Sequence, residues 1–552
     1  MNHFFSKILL LAVITLFLLN IPTESWALAS NNIPLDSPIY SFLDKLVGLG
    51  LVDRDFKGIR PYSKAEAARV VAEAEGNLGR LDGSSLTFAE KLIQQLKDLL
   101  PREIALRTEP AKAPFFDYNP MSGARLRYVY LEGVPRSYER PVYDPGGNGV
   151  FGIGSGLRPN NPYPSPVQQH GTEGTPLLEN NEGIVYRPGN NAEFRFNGEA
   201  YLKSFATALV EPLFLYSSGD DSTQLVLNKG YLKLGGGGLE LEVGRDANWL
   251  GLGYRSAITM TNNARNLDFV KLSSPEPVSS RYLWDLKYAL IVSRLDDTGI
   301  GEQERHPYFM AWKLSFLPHP CVEFGINVGK EFGGPGVNNS LSSYLKGIIG
   351  GTNGDNANNL GGLELRWRMP FLRNTEIYGE FSGEDSAAFW PIVESYVAGI
   401  FIPRLLADGK DDLRFEYFLG NQILYTNGTF PEGYLYRGMP IGDSQGGAAE
   451  DFFVRYNHWF SPRNRLALEY FHTERGNLGR VPVDNSGHVN LVDGVMQAVE
   501  RKNSVRAFLY LPLYHDLDLQ MMYGWERIHN MNLMEGVRQT NQIFKLDLSY
   551  RY

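Results

Sequence analysis

The sequence predicts an all-β, antiparallel transmembrane barrel with a small α-helical module at its N-terminal end. Three features carry this expectation. The chain opens on an export-type leader, its later segments alternate apolar and polar residues, and its connections switch regularly between short and long.

The leader reads MNHFFSKILLLAVITLFLLNIPTESWALAS. Lys7 supplies a basic start, and Ile8 to Ile21 form an apolar core interrupted only by Thr15 and Asn20. Ala27-Leu28-Ala29 is a small-residue cleavage site. The pattern is a secretory signal over residues 1–29, with an apolar run short for a membrane span.

Residues 30–115 read as a helical module. Ser37 is placed to cap a helix whose first residue is Pro38, and Ile39, Phe42, Leu43, Leu46 and Val47 form one apolar stripe. Ser63 and Glu66 have capping-box spacing, and Gly76 suits the helix end. Thr87 and Glu90 repeat that spacing ahead of Leu92, Ile93, Leu96 and Leu99, and Pro101 stops the run. Three helices are expected. YSKAEAARVV faintly resembles a surface-layer-homology repeat in a single partial copy.

Residues 116–552 change pattern. In GLELEVG, Leu239, Leu241 and Val243 alternate with Glu240 and Glu242; in LELRWRM, Leu363, Leu365, Trp367 and Met369 alternate with Glu364, Arg366 and Arg368. The chain ends NQIFKLDLSYRY, with Phe544, Leu546, Leu548, Tyr550 and Tyr552 on one face. Period-2 alternation marks strands with one apolar and one polar face. In a barrel the apolar face meets lipid and the polar face meets the lumen. Short turns at 317–320, 370–374, 461–464 and 512–516 separate pairs of runs. Long polar or glycine-rich stretches lie near 135–190, 331–360, 425–450, 473–500 and 527–541. That asymmetry belongs to outer-membrane barrels, and roughly 16 to 18 strands fit the chain.

Composition narrows the function. The chain has 552 residues, 30 Tyr, 31 Phe, 58 Gly and a net charge of −9, which argues against a nucleic-acid surface. Mean hydropathy is −0.25, and after the leader no long apolar run appears, which excludes a helical membrane protein. Cys321 is the single cysteine, so no internal disulfide and no cysteine-based zinc site can form. Nothing in the pattern calls for a cofactor.

One stretch raises a question of its own: GRDANWLGLGYRSAITMTNNA, residues 244–264. A phosphate-binding glycine loop must open a helix and end in Gly-Lys-Ser/Thr; here Gly253 precedes Tyr254 and the sequel has no helical stripe. The stretch reads instead as a barrel turn or inward fold, with Gly251 and Gly253 permitting positive φ or close backbone approach.

The same stretch resembles the signature of the Wzi-type capsule-assembly family of outer-membrane proteins. The matching residues are Gly244, Arg245, Asp246, Trp249, Gly251, Gly253, Asn262 and Asn263, with Ala264 following. Leu250 and Leu252 depart from it, where an aromatic and a proline are expected. The resemblance implies a barrel of about 18 strands plugged from the periplasm by the N-terminal helices. It implies a non-catalytic lectin that holds capsular or related surface polysaccharide, embedded as a monomer in outer-membrane lipid.

Loop composition suggests where a glycan would bind. Tyr425, Tyr434, Tyr436, Arg437 and Asp443 supply aromatic faces and planar hydrogen-bonding groups. Asn338, Asn339, Asn353, Asn356, Asn358 and Asn359 crowd a second loop. Arg245, Asp246 and Asn262 are expected in a polar network of the lumen. Three rivals stay open at this stage: a transport pore, an outer-membrane hydrolase and a soluble β-protein. For the hydrolase, Glu380, Glu384 and Asp385 form a carboxylate cluster, but the histidines are scattered and no HExxH or GxSxG is present.

Overall fold

A computed structural model describes residues 28–551, apart from 141, 145, 148, 154–158, 161–162, 166, 281–283, 296–306, 335–339, 341–356, 387–388, 477–487 and 493–494. Nearly all of the expected leader lies outside the described residues.

Eighteen strands close into one barrel. Strands β1 to β6 are Phe116–Glu132, Gly189–Leu202, Ala206–Ser217, Ser222–Gly236, Leu239–Asp246 and Leu267–Ser273. Strands β7 to β12 are Trp284–Arg294, Tyr308–His319, Val322–Phe332, Asn358–Met369, Thr375–Glu384 and Val393–Ile402. Strands β13 to β18 are Asp411–Gly420, Ala449–Ser461, Asn464–Arg475, Glu500–Tyr514, Leu517–His529 and Arg538–Arg551. Each pairs antiparallel with its chain neighbour, and β1 closes on β18 from Gly123↔Arg551 to Glu132↔Gln542. β6 is interrupted and resumes along β7 as Val278–Ser280.

One rim carries tight turns, at 203–205, 237–238, 320–321, 370–374, 462–463 and 515–516. The other carries the long connections, including 133–188, 247–266, 333–357, 421–448 and 476–499. A hairpin at 218–221 is the short exception there.

The alternation turns the usual soluble pattern inside out. Along β5, Leu239, Leu241 and Val243 face outward, while Glu240 and Glu242 are buried toward the lumen. β10 repeats this, with Leu365 and Trp367 outside and Glu364, Arg366 and Arg368 inside. Exposed aromatics ring both ends of the outer face. Phe205, Trp284, Trp367, Phe371, Phe460 and Tyr514 lie toward the tight turns; Tyr130, Tyr216, Tyr308 and Tyr470 lie toward the long loops. Two aromatic girdles around an apolar band are the signature of a membrane-spanning barrel.

The N-terminal module has four helices where three were expected: α1 Pro38–Gly48, α2 Lys64–Gly76, α3 Gly83–Leu99 and α4 Pro101–Thr108. Ser37 caps α1 by accepting from the Ile39 N–H at 3.3 Å. Ser63 caps α2 by accepting from the Glu66 N–H at 3.0 Å. Only half of that box forms, because the Glu66 carboxylate instead takes Lys287 of β7 at 2.5 Å. α3 starts a turn before the Thr87 box, and Thr87 donates back to the Gly83 carbonyl within the helix. Pro101 opens α4 rather than ending the module, as its fixed φ and missing N–H allow at a first helical position.

The apolar stripe of α1 packs with Val70, Val71, Phe88, Leu92 and Leu96 of α2 and α3, and Trp459 of β14 joins this core. The module sits at the tight-turn rim. Lys45 bonds the Pro403 carbonyl at 2.9 Å and Asp412 at 2.7 Å, and Arg102 reaches the Lys203 carbonyl at 3.0 Å.

Placing a cation on the outer band tests this orientation. Leu365→Arg is expected to cost about 2–4 kcal/mol at mid-bilayer depth and less near its edges. The loss is measured as a lower urea midpoint for the barrel folded into vesicles.

Candidate functional site

The bore is occupied from both ends. From the tight-turn side comes the strand segment Ile59–Arg60 of the helical module; from the long-loop side comes 247–266, folded inward. They meet as a two-residue antiparallel ladder, Ile59↔Leu250 and Arg60↔Trp249. The Gly251 N–H extends it by donating to the Gly58 carbonyl at 3.0 Å.

Inward-facing carboxylates hold the 247–266 fold in place. A buried carboxylate needs donors, and a backbone led off its strand needs acceptors. Glu416 of β13 meets both needs, accepting from the N–H groups of Tyr254, Arg255 and Ser256 at 2.6, 2.9 and 2.8 Å. The Tyr378 hydroxyl also donates to it at 2.7 Å. Glu380 accepts from the Ile258 N–H at 3.2 Å, and Glu384 from the Tyr425 N–H at 2.7 Å. Two members of the carboxylate cluster considered for hydrolysis are thus structural acceptors inside the bore, whereas Asp385 is exposed.

The motif residues have distinct places. Gly244 has φ +142°, and a Cβ there would lie 2.2 Å from the Gly230 carbonyl of the adjoining strand. Gly251 and Gly253 do not take positive φ; they are needed for close approach. Their Cβ atoms would lie 2.4 Å from the Ala257 side chain and 1.9 Å from the Ser256 carbonyl. Trp249 is buried, with the Arg60 guanidinium 4.5 Å from its ring. Leu250 joins the apolar core of the bore, and Leu252 packs with Tyr378 and Phe401.

Asp246 and Asn262 belong to the lumen, as expected. Asp246 accepts from Asn32 of the N-terminal segment at 2.7 Å, and Asn262 donates to the Asn180 carbonyl at 3.0 Å. Asn263 donates to the Pro440 carbonyl at 3.2 Å. Arg245 does not join them. It falls on the outward register of β5 and pairs with Asp268 on the outer face, at 2.6 and 2.7 Å.

Four of the five loop residues expected at a sugar surface lie elsewhere. Tyr425, Tyr434, Tyr436 and Asp443 are buried, because loop 421–448 also folds into the bore. Tyr425 and Tyr434 stack at 5.4 Å and donate to the Ile258 and Thr259 carbonyls at 2.7 and 3.0 Å. Their hydroxyls satisfy the inward loop rather than face solvent. Arg437 alone of the five is exposed. Of the asparagines, Asn338, Asn339, Asn353 and Asn356 lie outside the described residues, while Asn358 and Asn359 are buried at the top of β10.

The inward guanidiniums of β13 to β16 were not singled out from the sequence. Arg414, Arg455, Arg465 and Arg506 line a cavity of about 360 Å³, roofed by the motif residues Trp249, Gly253 and Asn262. Their signal was available: each occupies the inward register of a strand already recognised by alternation.

Fold and lumen together define an outer-membrane β-barrel whose bore is filled by its own chain. Residues 158–543 match the family model of the capsule assembly protein Wzi, and the chain belongs to that family. A Klebsiella pneumoniae relative, described as an uncharacterized 55.8 kDa protein in the cps region, is 25% identical over 172 residues. That match covers 29% of this chain and 33% of the relative, so it spans only a third of the latter's length. The Escherichia coli structure described as Wzi, an outer membrane protein involved in group 1 capsule assembly and a carbohydrate-binding β-barrel, superposes with a TM-score of 0.63. The two share 15% identity, over 95% of this chain and 100% of that one. The Pseudomonas aeruginosa barrel OccK11 (OpdR) gives a TM-score of 0.37 at 12% identity, over 77% of this chain and 95% of that one.

The inward packing of loop 421–448 depends on pH through Asp443. Burial pushes its carboxyl up to about 7, although the Gln445 N–H, at 2.8 Å, favours the charged form. The folded value exceeds that of an unfolded aspartate, so the folded state holds a proton that the unfolded state has lost. That contribution to stability is present in acid and is lost as pH rises through about 7. Hydrogen exchange across 421–448 is therefore expected to accelerate beyond the intrinsic rate between about pH 4 and pH 7 and to level off above that. Asp443→Asn should remove that excess.

Proposed function

We propose that this protein is a non-catalytic outer-membrane barrel that binds capsular or related surface polysaccharide and holds or organises it at the cell surface. The observation that carries the reading, beside family membership, is the filled bore. The ladder of Ile59–Arg60 with Trp249–Leu250 stands where a porin would keep its channel. A barrel that passes nothing through its centre is left with its faces to work with. In this reading residues 1–29 are a signal removed on export, residues 30–115 a periplasmic plug, and residues 116–552 the barrel with its long loops outside.

The hydrolase reading loses support for a specific reason. Glu380 accepts from the Ile258 N–H and the Ser382 hydroxyl, and Glu384 from the Tyr425 N–H, so both are engaged as structural acceptors inside the bore. The protein works as a single chain in outer-membrane lipid, without cofactor or nucleic acid. Its sugar contacts lie on the outer side of the long loops. There the exposed Arg437 stands over the Tyr436 ring at 5.4 Å, with Arg265 near enough to feel its charge. Guanidiniums backed by aromatic rings suit the carboxylates and hydroxyls of an acidic glycan.

Deletion in the native host tests the reading, with cell-bound and shed polysaccharide both measured. Total polymer is expected to stay constant while the cell-bound share falls and the shed share rises. Unchanged attachment would count against a role in retention.

A further inference from the structure

The cavity beneath the motif loop has a composition that the fold alone does not require. It runs from the tight-turn rim, where Asp36, Arg463 and Asp518 are partly exposed, up to a roof formed by Trp249, Gly253 and Tyr254. Its volume of about 360 Å³ falls in the range of small-ligand sites. Eleven lysines and arginines line it against six aspartates and glutamates.

Those six carboxylates are committed. Asp36 pairs with Arg125, Asp44 with Lys57 at 2.9 Å, and Glu179 with Arg506 at 2.8 Å. Glu469 pairs with Arg506 at 2.7 Å, Asp518 with Arg463 at 2.8 Å, and Asp547 with Lys545 at 2.8 Å. Among the described residues, Arg60 and Arg465 have no carboxylate within ion-pair distance. Arg60 lies 4.5 Å from the Trp249 ring, and Arg465 is held between Trp459 and Tyr510 at 4.6 and 4.1 Å. The Nε atoms of both arginines and the indole Nε1 of Trp249 are buried without a hydrogen-bond partner. These two guanidiniums leave the wall with surplus positive charge, fixed against aromatic planes, with one Arg60 N–H given to the Gly253 carbonyl at 2.5 Å.

An occupant must bring negative charge and acceptors, and a body that packs on rings such as Tyr254 and Phe508. We propose that this cavity is a saccharide site, separate from the outer loops and entered from the helix-bearing rim, that takes a uronic-acid-bearing segment of a glycan. Sugar carboxylates meet Arg60 and Arg465, and ring C–H faces lie on the aromatics. This deepens the polysaccharide-binding reading above and rests on it. It makes the plugged end of the barrel a second point of contact with the polymer.

The test uses the full chain in detergent and follows tryptophan fluorescence, since Trp249 and Trp459 each adjoin one of the two arginines. The probes are a short oligogalacturonate and a neutral malto-oligosaccharide of equal length. The acidic oligomer is expected to change the signal saturably, more weakly as salt rises, and the neutral one not at all at matched concentration. The Arg60→Gln, Arg465→Gln double variant should weaken acidic binding at least about tenfold while keeping the heat-shifted gel band of the folded barrel. Arg465→Lys keeps the charge without the planar fork and should fall between the two. Equal binding of both oligomers, or wild-type affinity in the double variant, overturns the proposal. Acidic binding lost in Arg437→Ala but kept in the double variant also overturns it, while leaving the surface-binding reading standing.

Discussion

A barrel of eighteen strands encloses more space than the side chains on its own wall can fill. The rest of this structure follows from how that space is closed. Two segments far apart in sequence, one from each rim, meet near the middle and complete each other's backbone hydrogen bonds. Ile59–Arg60 supplies one edge and Trp249–Leu250 the other. Neither segment could lie buried alone, because each would carry unpaired N–H and C=O groups out of water. Gly58 and Gly251 make the approach possible. A Cβ on Gly58 would lie 2.7 Å from the Lys313 side chain, and one on Gly251 2.4 Å from Ala257.

Around this ladder the lumen is polar, and most of its charged side chains are buried. Exposed ion pairs contribute little, but breaking a buried one costs about 3–5 kcal/mol, because the remaining charge is left uncompensated. The pairs here are largely of the second kind. Lys313 and Glu364 pair with neither side chain exposed. Arg366 joins Asp55 of the module to Glu323 and Glu376 of the wall at 2.9, 3.1 and 3.2 Å. Lys287 holds Glu66 of α2. The Arg366–Asp55 and Lys287–Glu66 links fix the module against the strands in one register. Over the roof of the cavity, burial alone would raise the Glu179 carboxyl, but Arg255 and Arg506 outweigh it and hold the carboxyl well below its usual range. The polysaccharide reading builds on this rigidity: fixed guanidiniums and rings are pre-organised for a ligand, and a mobile bore would not be.

The barrel was legible because its signals are periodic. Leu239 to Val243 and Leu363 to Trp367 reveal both faces at once, and the turns at 317–320, 370–374, 461–464 and 512–516 fall where strands end. The helices were legible as apolar stripes, less so at their ends, where Pro101 starts a helix as readily as it stops one. What remained out of reach was long-range placement. Tyr425 and Tyr434 have the composition of a surface loop, yet tertiary contacts with Ile258 and Thr259 draw them inside. Arg245 sits one residue from lumenal Asp246, and the strand register sends its side chain outward to Asp268. The cavity arginines come from four separate strands, and only the closed barrel brings them to one space. The stretch 244–264 lies within the span that matches the family model, and Gly251 and Gly253 serve close packing.

The account stands most directly on the bore being closed by its own chain. Planar-bilayer recording of the full-length protein measures this without reference to any ligand. The ladder and the inward loops predict a silent bilayer, with no stable conductance steps after insertion. Steady, porin-like steps from the intact chain would contradict it and return the barrel to the transport proteins.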